Sequence, residues 1–154
     1  MSEPADHFAG ERSMLQRDRA SAALGMVVER DVPGEAIVSM RVRDDMTNGF
    51  AITHGGMVFA LADTAFAMAC NAVATGEDGA DADITVAAGA DISFLKATRA
   101  GQTLTAHARR RALAGRSGLY DVTVTDETGD VVAEFRGRSF TTRPSGSDRP
   151  GAAG

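Results

Sequence analysis

At 154 residues, 44% of them apolar, the chain has the size and the material for one domain with a real core, and its formal charge of −5 argues against a general nucleic-acid binder. No stretch reaches the ~18 uninterrupted apolar residues of a membrane span, and the charged start MSEPADHFAGERSMLQRDR is unlike a signal peptide, so the expectation is a cytoplasmic protein with neither membrane nor nucleic acid as partner. Cys70, the sole cysteine, rules out an intrachain disulfide and a cysteine-based metal cluster and is expected to be an inert buried thiol.

In chain order, residues 8–24 place Phe8, Met14, Leu15, Ala20 and Leu24 at helical spacing and stop at Gly25, which predicts a short amphipathic helix. GMVVERDVPGEAIVSMRVR then predicts two strands around Pro33-Gly34, the second alternating Ala36, Val38, Met40 and Val42 with Ile37, Ser39, Arg41 and Arg43. From Gly55 to about Thr75 alanines are frequent, and Leu61, Ala65, Met68 and Ala72 recur at steps of three and four, which predicts one long helix over 55–75 ended by Gly76. After the acidic loop GEDGADAD, four strand-like segments follow at about 82–95, 102–112, 117–126 and 131–142, with turn signals RAGQ, LAGRSG and DETGD. The tail over 144–154 has nothing to bury and is expected to be disordered. A single domain over 1–143 of the α+β class, an antiparallel sheet wrapped around the small-residue helix, is the architecture that accommodates these elements.

Charge is unevenly spread. Residues 1–95 hold 6 basic against 15 acidic side chains, net −9, and residues 96–154 hold 10 against 6, net +4. Lys96, Arg99, Arg116 and Arg138 belong to this basic half and are candidates to meet the phosphates of a small polyanion such as the nucleotide end of coenzyme A, or else are solvated outer faces of strands.

The chemistry concentrates in NGFAITHGGMVFALADTAFAMACNA, residues 48–72. Asp63 stands three and four residues from Phe59, Ala60, Phe66 and Ala67, none of which can neutralise a carboxylate. An acid so placed either works in a site, meets a partner from elsewhere, or lies on a solvent stripe. His54-Gly55-Gly56 opens the helix where the first amides have no intrahelical acceptor and can bind an oxyanion or a polarised carbonyl. His54 reads as a helix-start hydrogen-bonder or a packing residue, or as a base. A carbonyl polariser and an acid eight residues downstream are the parts needed to hydrolyse an activated acyl group. No GxSxG elbow, Walker loop, dinucleotide fingerprint or HExxH is present, and the histidines are scattered at 7, 54 and 107.

The same stretch, with DISFLKATRAG and GRSGLYDVTVTDETGDVVAEFRGRSF, resembles the signature of hotdog-fold acyl-CoA thioesterases of the phenylacetic-acid-degradation type over roughly residues 10–142. The resemblance implies a sheet wrapped around a central helix, a double-hotdog homodimer often paired into a tetramer, and hydrolysis of an acyl-CoA thioester, phenylacetyl-CoA or a hydroxylated relative, with no metal or cofactor. Carried over, Gly55 is the backbone donor to the thioester carbonyl, Asp63 the nucleophile or general base, and Asn48 holds substrate or water. His54 and Gly56 are candidate substrate contacts at the helix start, and Phe59 and Phe66 are candidates that fit an aromatic ligand no better than a packed core. Where some relatives place a serine or threonine on the strand after the helix, this chain has Ala87, with Thr85 two residues earlier, which leaves the water-orienting role unassigned. Two rivals remain: a hotdog hydratase or dehydratase using His54 with Asp63, and a non-catalytic acyl-CoA sensor.

One spacing argument is independent of the resemblance. Eight residues at ~1.5 Å rise put Gly55 and Asp63 about 12 Å apart along the helix, too far to act on one carbonyl. A two-fold dimer in which the helix start of one chain faces the helix middle of the other removes the conflict.

Overall fold

The computed structural model describes residues 18–71 and 84–142. In chain order these form helix α1 (Arg19–Ala23), strands β1 (Val27–Val32) and β2 (Glu35–Arg41), a 3-10 turn (Asp44–Met46), helix α2 (Gly55–Cys70), and strands β3 (Ile84–Phe94), β4 (Thr103–Ala114), β5 (Ser117–Thr125) and β6 (Val131–Thr142). All six strands pair antiparallel into one sheet of order β1-β2-β4-β5-β6-β3. This is the hotdog fold.

The strand after α2 is the one that travels. Whereas β4, β5 and β6 follow each other as neighbours, β3 crosses to the far side of β6 and ends the sheet. Ten of its 11 residues pair with β6, Ala88 falling at a register shift, and among the described residues its other side pairs with no strand.

Period-two alternation places Ala36, Val38 and Met40 of β2, Leu104, Ala106 and Ala108 of β4, and Val122 and Val124 of β5 on one sheet face, all fully buried. Onto that face α2 lays Leu61, Ala62, Ala65, Phe66, Met68 and Ala69. Burying each large side chain contributes about 1.5–3 kcal/mol, and the alanines let the helix approach closely. Phe66 is at the centre, its ring 5.4 Å from Tyr120 and 5.8 Å from Phe135 by centroid. The room for it comes from Gly137, where a Cβ would fall 2.7 Å from the ring.

The elements fall close to their predicted positions, with two corrections. Helix α2 stops at Cys70 rather than near residue 75, because Asn71 takes an extended backbone as the C-cap, its N and Nδ2 donating to Ala67 O (3.1 and 2.9 Å), while its side-chain amide also donates to Thr85 O (3.0 Å) and accepts from Thr85 N (3.1 Å), pairing with β3 as another backbone would. Residues 72–83, with Gly76, lie outside the described residues. The first helix covers Arg19–Ala23, capped by Asp18, whose Oδ1 accepts from Ser21 N (2.9 Å), and docks on α2 through a Ser21–Thr64 hydroxyl contact of 3.1 Å. Its expected beginning over residues 8–17, like the tail over 144–154, is outside the described residues. Cys70 is half-buried rather than buried, with Sγ donating to Ala67 O.

Gly137→Ala drives a methyl into the Phe66 ring and is expected to cost about 1–3 kcal/mol, read as a lower urea midpoint at unchanged m-value. Adding Phe66→Leu should recover part of the loss, since residues in contact are energetically coupled.

Candidate active site

The segment before α2 is held from several directions. Thr47 and Thr53 form an isolated bridge, and Asn48 Oδ1 accepts from Phe50 N (2.9 Å) and, at 3.5 Å, from Ile52 N. Ala51 is the one non-glycine described residue at positive φ, +57°, a conformation kept where surrounding contacts over-determine it. Its carbonyl accepts from Arg99 Nη1 at 3.3 Å. Thr53 and Thr98 lock the next step through buried hydroxyls 2.7 Å apart and a backbone bond of 2.8 Å.

His54 is the N-cap of α2: its Nδ1 accepts from Gly56 N at 2.9 Å. The neutral ring therefore carries its proton on Nε2, and the helix-start reading of His54 agrees with its placement. The same bond consumes the Gly56 amide, so Gly56 has no donor to offer a substrate. Gly55 is different: its N–H meets no acceptor among the described residues, and it opens on a cleft of about 290 Å³ lined by Asn48, Ile52, Val58, Phe94, Leu95, Lys96 and Val132 among others. Asn48 and Gly55 thus come together. With Oδ1 committed to its own loop, Asn48 can offer the cleft its Nδ2 donors.

Asp63 does not join them within one chain. It sits more than two turns along the continuous helix α2, half-buried on the stripe of Gly56, Phe59, Ala60, Thr64 and Ala67 that the sheet leaves uncovered. It has no hydrogen bond or ion pair among the described residues, and burial alone pushes its carboxyl pKa up.

Several other candidates are placed differently from expectation. Phe66 is 1% exposed and belongs to the core, so it cannot touch a substrate. Phe59 packs edge-on to Phe135 with centroids 5.3 Å apart and shows its other edge on the Asp63 stripe. Lys96 borders the cleft, but its ammonium is bound by Asp126 (2.6 Å) and Asp130 (2.7 Å), which raise its pKa further. Arg99 is spent on the Ala51 carbonyl and Arg138 pairs with Asp91 at 3.2 Å. Arg138 and Arg116 lie toward the opposite end of β6: Val132 at the cleft and Phe140 opposite Ser117 are about 26 Å apart along the strand. Thr85 shares its hydroxyl with Thr141 (2.9 Å) and Ala87 has no polar group to offer water. Phe94, Thr98 and the carbonyl-holding role of Arg99 are parts of the site that sequence reasoning missed. The one signal was the segment SFLKATR directly after a strand, whose proximity to Gly55 no spacing rule reveals.

Comparison with known proteins settles what family of catalysts this geometry belongs to. Residues 50–133 match the model of the thioesterase superfamily. The chain belongs to that superfamily. It is 39% identical over 127 residues to the acyl-coenzyme A thioesterase PaaI of Escherichia coli (strain K12), covering 82% of this chain and 85% of that one. The structure of E. coli PaaI, from the phenylacetic acid degradation operon, superposes with a TM-score of 0.76 at 38% identity over 84% and 88% of the two chains. A variant of the phenylacetic acid degradation protein PaaI from Thermus thermophilus gives 0.68 at 35% identity over 80% and 98%, and a Streptococcus mutans protein bound to acetyl CoA gives 0.67 at 26% over 77% and 89%.

Among the described residues of this thioesterase, no helix is long and apolar enough to cross a membrane, and no three His, Cys, Asp or Glu side chains converge to hold a metal ion. Its unpaired acid has a measurable signature in stability. A carboxyl whose native pKa lies above its unfolded value of about 3.9 binds its proton more tightly when folded, so stability falls as pH rises through the native pKa. Asp63→Asn is therefore expected to melt at a higher temperature than wild type at pH 7, with the two curves converging below about pH 4.

Proposed function

We propose that this thioesterase hydrolyses acyl-CoA thioesters, with phenylacetyl-CoA or a hydroxylated phenylacetyl-CoA as its substrate, in sites shared by two chains. The observation that carries the reading is a pair of groups on one helix that are unmatched among the described residues: an amide donor without an acceptor at Gly55 and an acid without a partner at Asp63, about 12 Å apart. The PaaI relatives support the acyl class.

Three features support the dimer. Strand β3 presents an unpaired edge 11 residues long, a liability that proteins cover. Ile84, Val86 and Leu95 on or beside it are 46–62% exposed. The uncovered stripe of α2 is apolar except for Asp63 and the Thr64 hydroxyl. Antiparallel pairing of β3 with its copy across a two-fold axis covers the edge and brings Gly55 of each chain toward the partner's α2.

In such a site the thioester carbonyl accepts from Gly55 N–H, which stabilises the oxyanion as the carbon becomes tetrahedral. Asp63 of the other chain takes the proton of a water held with the help of Asn48 Nδ2. The water oxygen bonds to the carbonyl carbon, the C–S bond then breaks, and the CoA thiolate leaves and is protonated. In the nucleophilic variant Asp63 Oδ attacks the carbonyl carbon and expels the CoA thiolate as the C–S bond breaks, and water then cleaves the mixed anhydride to the free acid and the restored carboxylate. The reaction draws on side chains, backbone and water, with CoA entering as part of the substrate. The raised Asp63 pKa suits a proton acceptor. His54, whose Nδ1 already caps α2, is poorly placed as the base of a hydratase.

A thiol-release assay with a panel of acyl-CoAs tests the reading. Asp63→Asn is expected to lower kcat about 10²-fold or more while CoA-thioester binding persists. The wild-type kcat/KM profile should fall on the acid side with a midpoint above the ordinary value near 3.9, a limb that the variant lacks. Wild-type-like turnover by Asp63→Asn would exclude the assignment.

The shared site makes a separate prediction. Gly55→Pro deletes the amide at the first helical position, where the backbone accepts proline, and the preceding His54 at ψ 129° already has the conformation that proline demands. Because a Cβ at 55 meets Phe94 Cζ at 3.1 Å, the variant's fold is checked by circular dichroism before mixing. Asp63→Ala and Gly55→Pro homodimers should both be nearly inactive. Refolded together, about half of the dimers are mixed and each carries one intact site, so roughly a quarter of wild-type activity should return. Sites built within one chain give no recovery when mass spectrometry confirms mixed dimers.

A further inference from the structure

We propose that Phe94 selects the acyl group: its ring forms the wall of the acyl pocket beside the carbonyl-polarising amide and favours a flat, single-ring acyl chain over a long flexible one. The inference rests on the reading of Gly55 as carbonyl donor and adds a residue to it.

Phe94 ends β3 and reaches across to the start of α2. A Cβ built on Gly55 would lie 3.1 Å from Phe94 Cζ and 3.4 and 3.6 Å from its two Cε atoms, so the tip of the ring rests against the Gly55 α-carbon. A carbonyl oxygen bound ~2.9 Å from Gly55 N therefore holds its acyl carbon within one ring's reach of Phe94. This contact also gives a reason for glycine at 55 besides close approach by the substrate: a larger residue there would push the ring into the cleft or out of it.

The ring is not accounted for by the core. Phe59 and Phe66 lean on Phe135 and Tyr120, whereas Phe94 joins no aromatic pair among the described residues and is 54% exposed. An unpacked aromatic side chain at the mouth of a cleft is available to a ligand. The cleft itself points to the acyl rather than the pantetheine end of the substrate. Ile52, Val58, Leu95 and Val132 make most of its walls apolar beside Asn48, Thr53 and Thr98, and the one cation among its described lining residues, Lys96, is neutralised by Asp126 and Asp130. The cleft measures about 290 Å³ in one chain, enough to accept one ring on a short linker. Ring stacking or edge contact with Phe94 then discriminates in favour of an aryl group.

The test compares wild type, Phe94→Ala and Phe94→Leu on phenylacetyl-CoA, butyryl-CoA and octanoyl-CoA by thiol release, with the oligomeric state of each protein measured alongside. The expected result is a fall of about 10-fold or more in the phenylacetyl-to-octanoyl ratio of kcat/KM in Phe94→Ala, carried mainly by a higher KM for phenylacetyl-CoA and a gain on octanoyl-CoA. Phe94→Leu, which keeps apolar bulk if the alanine variant folds poorly, should be intermediate. A ratio unchanged within about twofold in both variants, whether activity is kept or lost in parallel on all three substrates, would overturn the inference and make Phe94 a structural or interface residue. If wild type released thiol from none of the three, the acyl-CoA reading itself would fall, an outcome distinct from the first.

Discussion

One face of α2, from Leu61 through Ala69, has nowhere to go but against the sheet, and its burial fixes how the helix is rotated about its axis. With Leu61 and Ala62 on one side and Ala65 and Phe66 on the other all at 0–1% exposure, the 100° step per residue leaves position 63 turned away from the sheet. Asp63 is thus outward not by any interaction of its own but as a consequence of where its neighbours are buried. The same docking carries Gly55 to Phe94 at the end of β3, and the segment before the helix is tied by Thr53 to Thr98.

Two acids show how far surroundings rather than residue type decide chemistry. Asp126 is 4% exposed, yet Lys96 and the Thr128 hydroxyl, with the backbone amides of Thr128 and Asp130, supply donors to both of its oxygens and hold its carboxyl far below the usual range. Asp63 is less buried but receives no such donors, so desolvation dominates and its pKa moves up. The first is a structural charge that braces the loop bordering the cleft. The second lacks such donors among the described residues, at a desolvation cost to stability that the helix packing absorbs.

Half of the eight described basic side chains of residues 96–142 are paired with acids. Arg136 and Arg111 share Asp121, Arg138 meets Asp91, and Lys96 bridges two aspartates. Exposed pairs of this kind contribute little to stability, but they spend the cations on the sheet surface. Arg116, with no side-chain partner among the described residues, keeps its charge unspent at the far end of the sheet. Phosphate recognition by this thioesterase therefore cannot be inferred from a count of arginines.

What the sequence determined by itself is what local physics writes in short range: the alternation that makes strands of 84–94, 103–114, 117–125 and 131–142, the alanine-rich run that makes α2, the helix-start histidine and glycines, and the isolation of Asp63 within its own helix. Its motif was also specific enough to suggest the family. Tertiary structure alone decided the rest. That β3 crosses to the far edge, that Asn71 caps α2 and pairs with Thr85, that Phe66 belongs to the core, that the Gly56 amide is taken by His54 while the Gly55 amide is not, and that Phe94 rests on Gly55 are contacts between residues remote in sequence or choices among adjacent donors. Hydrophobic period and propensity carry no information about which remote side chain will arrive, since that depends on how the whole sheet closes over one helix.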